Sequence, residues 1–415
     1  MIKYIDLCCG MGGFRVAINT FQQTNSHIQF QCVFSADIKE DAIKTYNVNF
    51  QEEMGKTDIY NLTELPEFDM LCAGFPCQPF SSAGSKKGFD DSRGGMIFKI
   101  AEICKKYKPR YLLLENVSNL ITLENGSVIK RIEELFENLG YQITYKKINS
   151  ADFGIPQNRE RVYIIGDLYK KHNLDGLSKC DKVFVKDIID YEAKYSDIPH
   201  SLSENLITLH NKKSLHGVRL QDKRGGEQNI HSWDINYHGV ISTHEQELMN
   251  KLMTERRKKH WAEKKGIKWM DGMPLTLNEI KSFFPHDNVE QMLENLVQKK
   301  YLAIEKPKDL VNGKRQYKED ADEGYNICKG KLSFPISKIL DPNDVSPTLT
   351  ATDSCKLAIM IDDKYIRRLT CLELKRLCGF PEDFIVPSDV NKYDLFGNMV
   401  TPPTITAILK IIFHF

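Results

Sequence analysis

Three short segments of the chain contain residue types that could perform covalent chemistry on a bound substrate. Cys77 follows a short apolar segment, and a thiolate in such a position can act as a nucleophile. Glu115 ends another apolar segment, where burial would raise the pKa of its carboxyl group and make it a proton donor. Arg159 and Arg161 precede a third apolar segment and could hold phosphates or base oxygens.

Each of these residues also has a structural interpretation. A single cysteine after a strand is more often a core thiol than a nucleophile, the carboxylate could be a capped structural group, and the arginines could form salt bridges. The segment after Cys77 favours function, because residues 81–95 contain four glycines together with Lys86, Lys87 and Arg93. Such a segment is either a disordered surface loop or a mobile lid that closes on an anionic substrate.

Residues 6–13, Asp-Leu-Cys-Cys-Gly-Met-Gly-Gly, follow a predicted strand and begin a predicted helix. Their small side chains let the backbone approach a ligand, and the N–H groups at the helix start are available to polar atoms. Asp37 ends the next predicted strand, where it is placed for a ribose hydroxyl. The pattern indicates a nucleoside-containing cofactor of unspecified type, and a tight structural turn is the alternative.

Apolar and amphipathic segments alternate through the first 167 residues. The apolar segments predict buried strands at 4–7, 31–35, 68–72, 111–114 and 162–165. Segments 97–107 and 128–139 predict amphipathic helices between them. This alternation predicts an α/β fold with a mostly parallel sheet and helices on both faces, on which ligands bind at the carboxyl ends of the strands.

The composition excludes few classes of function. The 415 residues include 57 Lys and Arg against 56 Asp and Glu, so the net charge leaves a nucleic-acid partner open. The mean hydropathy is −0.40, and no apolar run approaches the roughly 18 residues of a membrane span. The amino end lacks a secretion leader, and the 11 cysteines form no CxxC pairs. We therefore expect an intracellular protein with reduced thiols, no membrane association and no zinc framework.

The composition changes between residues 201 and 347, where we expect a second domain. Residues 277–284 and 289–301 predict two helices around a tight turn, and 302–304 with 313–317 predict a hairpin, so 277–318 has the order of a winged helix. A helical hairpin that packs on the domain is the alternative. The basic run 256–259 is expected to be helical and could be a phosphate-binding face or a solvated helix face.

After Arg368 the chain returns to α/β-like patterning and ends in an apolar helix at 405–412, which we expect to pack on the first domain. The expected domains are therefore 1–200, 201–347 and 348–415, the last completing the first.

Taken together, these motifs resemble the cytosine-C5 DNA methyltransferase family. The segments that carry the resemblance occur in the order 6–13, 76–78, 115–117, 157–161, 368–381 and 396–398. The resemblance covers roughly residues 3–168 and 346–413, and the region between them corresponds to the family's variable target recognition domain. It implies a Rossmann-like S-adenosylmethionine-dependent methyltransferase domain with a smaller inserted recognition domain.

The resemblance implies a role for each candidate catalytic residue and requires no metal. Cys77 matches the nucleophile that adds to C6 of cytosine, and Glu115 the acid that bonds N3 and the exocyclic amine. Asn116 would shape the same pocket. Arg161 matches a residue that contacts the base oxygen, and Arg159 lies beside it.

The family pattern also implies a site for S-adenosyl-L-methionine. Its residues map onto Asp6, Cys8, Gly10, Met11, Gly13, Asp37, Ile38, Asp58, Ile59, Pro76, Asn398 and Val400. Cys8 departs from the family pattern, which commonly has an aromatic residue there, so stacking on adenine would be weaker and cofactor affinity is in doubt.

A cytosine inside a duplex must be extruded to reach Cys77, so the implied partner is double-stranded DNA. The candidate DNA contacts are Ser81, Lys86, Lys87, Arg93, Arg256, Arg257, Lys314, Arg315 and Thr348. Thr348 belongs to a Thr-Leu pair that resembles the family's signature at the end of the recognition domain.

Three functions remain open at this point. The first is a sequence-specific DNA cytosine-5 methyltransferase of the bacterial cytoplasm, expected to be a monomer. It is either the modification half of a restriction system, which protects host DNA beside a separately acting endonuclease, or a solitary enzyme. The second is an RNA (tRNA) cytosine-5 methyltransferase, and the third is a winged-helix binding protein with a degenerate catalytic half. The presence of Cys77, Glu115 and Arg161 argues against the third.

Overall fold

The structure, a computed structural model, describes residues 1–75, 95–193, 197–222, 224–225, 229–268, 272–311, 314–328 and 334–413. The chain forms two compact units. The first unit comprises residues 1–193, 342–354 and 370–415, and the second comprises 194–341 and 355–369. The domain boundaries expected from the sequence differ from these at residues 194–200, 342–347 and 355–369. Residues 355–369 belong to the second unit, because their two strands extend its sheet.

The strands of the described residues are β1 Ile2–Leu7, β2 Phe30–Ala36, β3 Met70–Gly74, β4 Tyr111–Val117, β5 Gln142–Asn149, β6 Gln157–Asn158, β7 Glu160–Asp167, β8 Arg219–Leu220, β9 Asn229–Ile230, β10 Leu302–Glu305, β11 Lys308–Val311, β12 Lys314–Tyr317, β13 Gly324–Ile327, β14 Lys338–Ile339, β15 Ser346–Pro347, β16 Leu357–Ile361 and β17 Tyr365–Arg368.

The helices are α1 Gly13–Thr24, α2 Glu40–Phe50, α3 Met96–Tyr107, α4 Ser127–Glu137, α5 His200–His210, α6 Thr243–Glu255, α7 Lys259–Lys264, α8 Leu277–Phe283, α9 Val289–Gln298, α10 Cys371–Cys378, α11 Lys392–Asn398 and α12 Pro402–Phe413.

A six-stranded sheet forms the centre of the first unit, in the order β2-β1-β3-β4-β7-β5. The pairs between β2, β1, β3 and β4 are parallel, whereas β7 is antiparallel to both β4 and β5. The five predicted strands and the α/β class are confirmed. Sequence patterning missed β5 and the reversal of β7. The reversal matters because it places the start of β7, rather than its end, at the edge where the parallel strands end.

Alternation along the central strands divides the core into two halves. Leu112 and Leu114 of β4 pack in one apolar cluster with α3 and α4, while Tyr111 and Leu113 pack in another with α1 and α12. Successive side chains of a strand point to opposite faces, so a strand buried on both sides must be apolar throughout. The sheet is therefore covered on both faces, and its strand ends are left to carry polar groups.

The stretch Lys392–Phe413 has the length and composition of a membrane-spanning helix, yet 67% of its apolar window is buried inside the structure. Ile405, Ile408 and Leu409 of α12 belong to the same buried cluster as α1. This is the packing of a core helix, and it places the carboxyl-terminal segment on the sheet of the first unit, as the sequence predicted.

The second unit contains two separate apolar cores. One core lies against the sheet β17-β16-β14-β8-β9 and helix α5, and the other is formed by residues between 233 and 327. Within the second core, the segments run α6, a bridge from Leu275 to Tyr325, α8, α9, β10, the hairpin β11–β12, and β13. Helix α7 lies between α6 and this bridge. We call residues 243–327 the helix–hairpin module.

Two details of this region correct the sequence analysis. Strand β10 pairs with β13 rather than with the segment predicted at 313–317, whose described residues Lys314–Tyr317 form β12 and pair with β11. The basic run 256–259 is not one helical stretch, since α6 ends at Glu255 and α7 begins at Lys259.

Candidate active site

Four segments of the first unit meet at one edge of the sheet. A Cβ atom built on Gly74, the last residue of β3, would lie 3.3 Å from the Val400 side chain, 3.8 Å from the Cys8 carbonyl oxygen and 3.8 Å from Glu115 Oε2. The first loop, the end of β3, the acidic residue of β4 and the carboxyl-terminal segment therefore surround one small volume. Glycine at this position keeps that volume open.

Glu115 and Arg161 form a buried ion pair across β4 and β7. Arg161 Nε lies 3.0 Å from Glu115 Oε1, and both side chains are largely buried. Burial raises the pKa of Glu115, and the positive charges of Arg161 and Arg159 oppose that rise. The antiparallel register makes the contact, because Val117 stands opposite Arg161 and thus brings the arginine to the site edge. A carboxyl group with a raised pKa retains its proton to higher pH and suits a hydrogen-bond donor.

Asn116 fixes the backbone at the end of β3. Its Nδ2 donates to the carbonyl oxygen of Phe75 at 2.9 Å, and its Oδ1 accepts from the N–H of Val117 at 2.8 Å. Asn116 is buried, so both bonds are shielded from water. The side chain thus ties β4 to the residue that lies two positions before Cys77.

Arg159 has a different environment from Arg161. It is 2% exposed, and its guanidinium donates to the carbonyl oxygens of Leu349 at 3.0 Å, Gly397 at 3.3 Å and Met399 at 2.7 Å. Burial lowers the pKa of Arg159 to about 10. These contacts make Arg159 a clamp between backbone segments rather than a group that faces a substrate.

Gln157 makes a second clamp. It belongs to the 157–161 segment but was not among the site residues predicted from the sequence. The side chain is fully buried, donates to the Leu377 carbonyl oxygen at 3.1 Å and accepts from the Leu349 N–H at 3.1 Å. Thr348 donates its hydroxyl to the Asn158 carbonyl oxygen at 2.6 Å. Strands β15 and β6 pair in parallel here, so the Thr-Leu segment is joined to the start of β7.

The first loop is shaped by glycines that no larger residue could replace without rearrangement. A Cβ on Gly13 would lie 2.3 Å from the Val400 carbonyl oxygen, and one on Gly12, which has φ +91°, would lie 2.3 Å from the Phe50 ring. Gly10 has φ +55°, and no described atom lies within 4 Å of its would-be Cβ. The loop is thus packed on one side and open on the other, as a ligand cradle requires.

Asp37 and its neighbour line this cradle. Asp37 accepts from the N–H groups of Gly10 at 2.9 Å and Lys39 at 2.8 Å, which fixes its carboxylate beside the loop. Ile38 is 54% exposed, an unusual position for an isoleucine in a packed α/β domain. An apolar side chain beside a fixed carboxylate fits the flat face and ribose of a nucleoside.

A family model described as C-5 cytosine-specific DNA methylase matches residues 2–414 of the chain. The chain belongs to this family. Its relatives include the Type II methyltransferase M.NlaIV of Neisseria lactamica, which is 42% identical over 427 residues, with 100% of this chain and 99% of that protein covered. M.NgoBV of Neisseria gonorrhoeae is 41% identical over 428 residues, with the same coverage.

The fold is also that of solved methyltransferases. The crystal structure of S. pombe Dnmt2 methyltransferase superimposes with a TM-score of 0.55 at 15% sequence identity, and 99% of this chain and 98% of that chain are covered. This likeness shows that the chain has the Rossmann-like fold of that structure. It is a DNA (cytosine-5) methyltransferase, and its full-length likeness to DNA enzymes favours DNA over the RNA alternative.

The remaining candidate cofactor residues of the methylase lie in the first unit. Cys8 has φ +53° and its Sγ lies 3.2 Å from Met96 Sδ, while burial raises the pKa of its thiol to about 12. Met11 and Ile59 are buried. Asp58 accepts from the Tyr60 N–H at 3.0 Å. Asn398, the last residue of this set, is exposed, and its Nδ2 donates to the carbonyl and carboxylate oxygens of Asp394.

Asp6 of the methylase is fully buried on β1. Neither carboxylate oxygen has a hydrogen-bond partner among the described residues. Burial raises the pKa of Asp6 well above its usual value, and the charge of Arg15 opposes that rise.

Several candidate residues of the methylase lie outside the described residues: Pro76, Cys77, Ser81, Lys86, Lys87 and Arg93. Among the candidate DNA contacts of the second unit, Arg256 is 3% exposed and donates to Asn326 Oδ1 at 2.9 Å, so its guanidinium supports the module core and is not at its surface. Arg257, Lys314 and Arg315 are exposed.

Proposed function

We propose that the methylase transfers a methyl group to C5 of an extruded cytosine in duplex DNA, with Cys77 as nucleophile and Glu115 as acid. The observation that carries the proposal is the meeting of three groups at one sheet edge. Glu115 pairs with Arg161 at 3.0 Å, and Asn116 holds the Phe75 carbonyl oxygen two residues before Cys77. Glu115 and Asn116 lie on β4, Arg161 lies on β7 and Phe75 follows β3, so the meeting of these three segments depends on the fold rather than on sequence proximity.

The chemistry requires a nucleophile because C5 of cytosine is a poor carbon nucleophile in the aromatic ring. The Cys77 thiolate forms a bond to C6, and the ring electrons move through C5 and N3. Glu115 donates its proton toward N3 and so stabilises the charge that develops there. After methylation, the N3 proton returns to Glu115, a base takes the C5 proton, and departure of the Cys77 sulfur from C6 restores the aromatic ring.

Arg161 and Asn116 act on this chemistry by different means. Arg161 orients the Glu115 carboxyl group. Its positive charge also limits the rise in the pKa of Glu115, so the carboxyl group can still give up its proton. Asn116 is a positioning residue, because its bonds go to the backbone of Phe75 and Val117. Arg159 is likewise a positioning residue for the segments around Leu349 and Met399.

The cradle at the first loop fits S-adenosyl-L-methionine, which supplies the methyl group when bound. Gly10 and Gly13 allow close approach of the backbone, Asp37 offers a fixed carboxylate for a ribose hydroxyl, and Ile38 offers an apolar surface for adenine. Asp58 and Asn398 are further polar groups of the same set. The open space at Gly10 supports this assignment.

The relatives support a biological role for the reaction. M.NlaIV and M.NgoBV are named Type II methyltransferases and match the chain over its full length. We infer that the methylase modifies a specific DNA sequence in a bacterial restriction-modification system and acts as a monomer in the cytoplasm. A cognate endonuclease would act separately on the same site.

Methyl transfer from labelled S-adenosylmethionine to duplex DNA and to tRNA tests the proposal. We expect label in DNA, and its position is found by bisulfite mapping of DNA from cells that express the protein. A duplex with 5-fluorocytosine at the mapped position should form a denaturant-stable complex, because C5 then has no proton to lose. Label in tRNA alone would refute the assignment of substrate.

Two variants test the assigned residues. Cys77→Ser should abolish both methylation and the denaturant-stable complex, whereas Cys371→Ser, a half-buried thiol at the start of α10, should preserve both. Glu115→Gln should retain cofactor binding and lose rate. Full activity of Cys77→Ser would contradict the proposed nucleophile.

A further inference from the structure

Asn398, the last residue of α11, has both hydrogens of its side-chain amide bound by one residue. Its Nδ2 donates to the carbonyl oxygen of Asp394 at 3.0 Å and to Asp394 Oδ1 at 2.9 Å. An amide nitrogen carries two hydrogens, so these bonds use its whole donor capacity. Asn398 is exposed, and its amide oxygen has no hydrogen-bond partner among the described residues. The side chain therefore offers a ligand an acceptor and not a donor.

The carboxylate of Asp394 is itself held by a second partner. Lys39 Nζ lies 2.8 Å from Asp394 Oδ2, whereas the Asn398 amide is bound by Oδ1. Since each carboxylate oxygen has its own partner, the carboxylate cannot rotate without breaking one of the two contacts. The orientation of the Asn398 amide is therefore fixed together with that of the carboxylate.

Lys39 connects this contact to the ribose side of the cradle. Its backbone N–H donates to Asp37 Oδ1 at 2.8 Å, and the N–H of Gly10 donates to Asp37 Oδ2 at 2.9 Å. A continuous path of polar contacts thus runs from the first loop through Lys39 to Asn398. Two polar groups of the proposed cofactor set, at positions 37 and 398, are held in one network although they lie far apart in the chain.

Other contacts fasten α2 to the start of α11 and to the residues before it, so Asp394 is not required to hold these elements together. Lys44 Nζ lies 2.9 Å from Asp389 Oδ2, and the Asn391 N–H donates to Asp41 Oδ2 at 2.9 Å. Exposed ion pairs of this kind contribute little to stability. What distinguishes Asp394 is that its carboxylate also binds an amide of the proposed cofactor site.

We propose that Asp394 is a positioning residue for the cofactor site, whose carboxylate turns the Asn398 amide so that the amide oxygen accepts from the α-ammonium group of S-adenosylmethionine. The inference deepens the proposed function and rests on it for the identity of the cofactor. Val400, two residues after Asn398, has its side chain 3.3 Å from a Cβ built on Gly74, beside Glu115. The methyl group must arrive at that edge, and the α-ammonium belongs to the same methionine part of the cofactor. Without Asp394 the amide can present its N–H groups instead, and these repel a cation.

Calorimetric titration of the full chain with two ligands tests the proposal without methyl transfer. One ligand is S-adenosylhomocysteine, and the other is its desamino analogue, in which hydrogen replaces the α-ammonium group. We expect Asp394→Ala to bind S-adenosylhomocysteine about 3- to 10-fold more weakly and to change the affinity for the desamino analogue by less than about twofold. With S-adenosylmethionine as substrate, the same variant should raise KM and leave kcat unchanged.

Asp389→Ala is the matched control, because it removes another lysine–aspartate pair between α2 and the residues around the start of α11. It should bind both ligands like the wild type. Equal weakening of both ligands in Asp394→Ala would show that the contact only holds the cradle together, and it would overturn the role assigned to Asp394. Wild-type affinity for S-adenosylhomocysteine in Asp394→Ala would overturn it too, as would the same loss of affinity in Asp389→Ala.

The outcome is separable from that of the proposed function. A wild-type chain that binds S-adenosylhomocysteine but transfers no methyl group to DNA would refute the proposed function, while the affinities of the two variants would still decide the role of Asp394. DNA methylation together with unchanged binding in Asp394→Ala would refute the inference alone. A wild-type chain that binds neither ligand would refute the inference and the assignment of the cofactor together.

Discussion

Replacement of Arg159 by methionine tests how the carboxyl-terminal segment is held in the first unit. Methionine nearly matches the length of the arginine stem but leaves the carbonyl oxygens of Leu349, Gly397 and Met399 without their donor. Each buried carbonyl that loses its partner costs about 1–3 kcal/mol, and removal of a costly buried charge offsets part of that. We expect the free energy of unfolding of the first unit to fall by about 3–5 kcal/mol.

The two units must be followed by separate probes. All three tryptophans lie between residues 233 and 269, so tryptophan emission reports on the second unit. Amide hydrogen exchange of β4 and β7 in increasing denaturant reports on the first. We expect faster exchange in β4 and β7 and an unchanged emission transition.

The conservative and control variants sharpen this test. Arg159→Lys keeps the positive charge but replaces the several N–H groups of the guanidinium with a single ammonium group. The loss in free energy of unfolding should therefore be smaller than in Arg159→Met. Arg131→Met removes a partly exposed arginine from α4 and should change the unfolding free energy by less than about 1 kcal/mol. Wild-type exchange rates in Arg159→Met would refute the clamp.

Three further variants test other parts of the site. Gly13→Ala should raise the KM for S-adenosylmethionine more than it lowers kcat, because the added methyl group meets a backbone carbonyl oxygen at 2.3 Å and must displace the cradle. Asn116→Ala should lower kcat about 10- to 100-fold with little change in cofactor affinity, since it releases the Phe75 carbonyl oxygen. Arg161→Met should raise the pKa of Glu115 further, because it removes an opposing charge, and should move the alkaline limb of the kcat/KM profile to higher pH while lowering its plateau.

Each of these outcomes has a measurement that could contradict it. Isothermal titration with S-adenosylmethionine would show wild-type affinity in Gly13→Ala if the cradle were not the cofactor site. Rapid single-turnover assays would show a wild-type rate in Asn116→Ala if the Phe75 contact were irrelevant to chemistry. An alkaline limb that stays in place in Arg161→Met would show that Glu115 is not the titrating acid.

Local patterning explains the parts of the fold that could be predicted. Buried parallel strands such as β4 are apolar on both faces, and their periodicity is visible without a structure. Helix α8 begins at Leu277, directly after Thr276, whose capping box with Glu279 is a local signal. No local signal shows that β7 is reversed, because the pattern of apolar residues is the same whichever way a buried strand runs.

The sequence by itself determined the family of this methylase and its candidate reactive residues. The order of its motifs identified the family, and the spacing of Cys77, Glu115 and Arg161 gave the residues that could react. Composition and periodicity determined the class of fold as well. Each motif and each periodic segment is a local property, since it depends on residue types within a few positions of one another, and the order of the motifs is read along the chain.

Only the tertiary structure decided which of two neighbouring arginines meets the acid. Arg159 and Arg161 both precede the same apolar segment. The antiparallel register directs Arg161 to Glu115. Arg159 is instead buried among carbonyl oxygens of residues 190 to 240 positions further along the chain. Alternation makes residues two apart share a face, so periodicity could not separate them. Contacts between distant segments set their roles, because the free energy of a buried charge depends on the partners that the whole fold supplies.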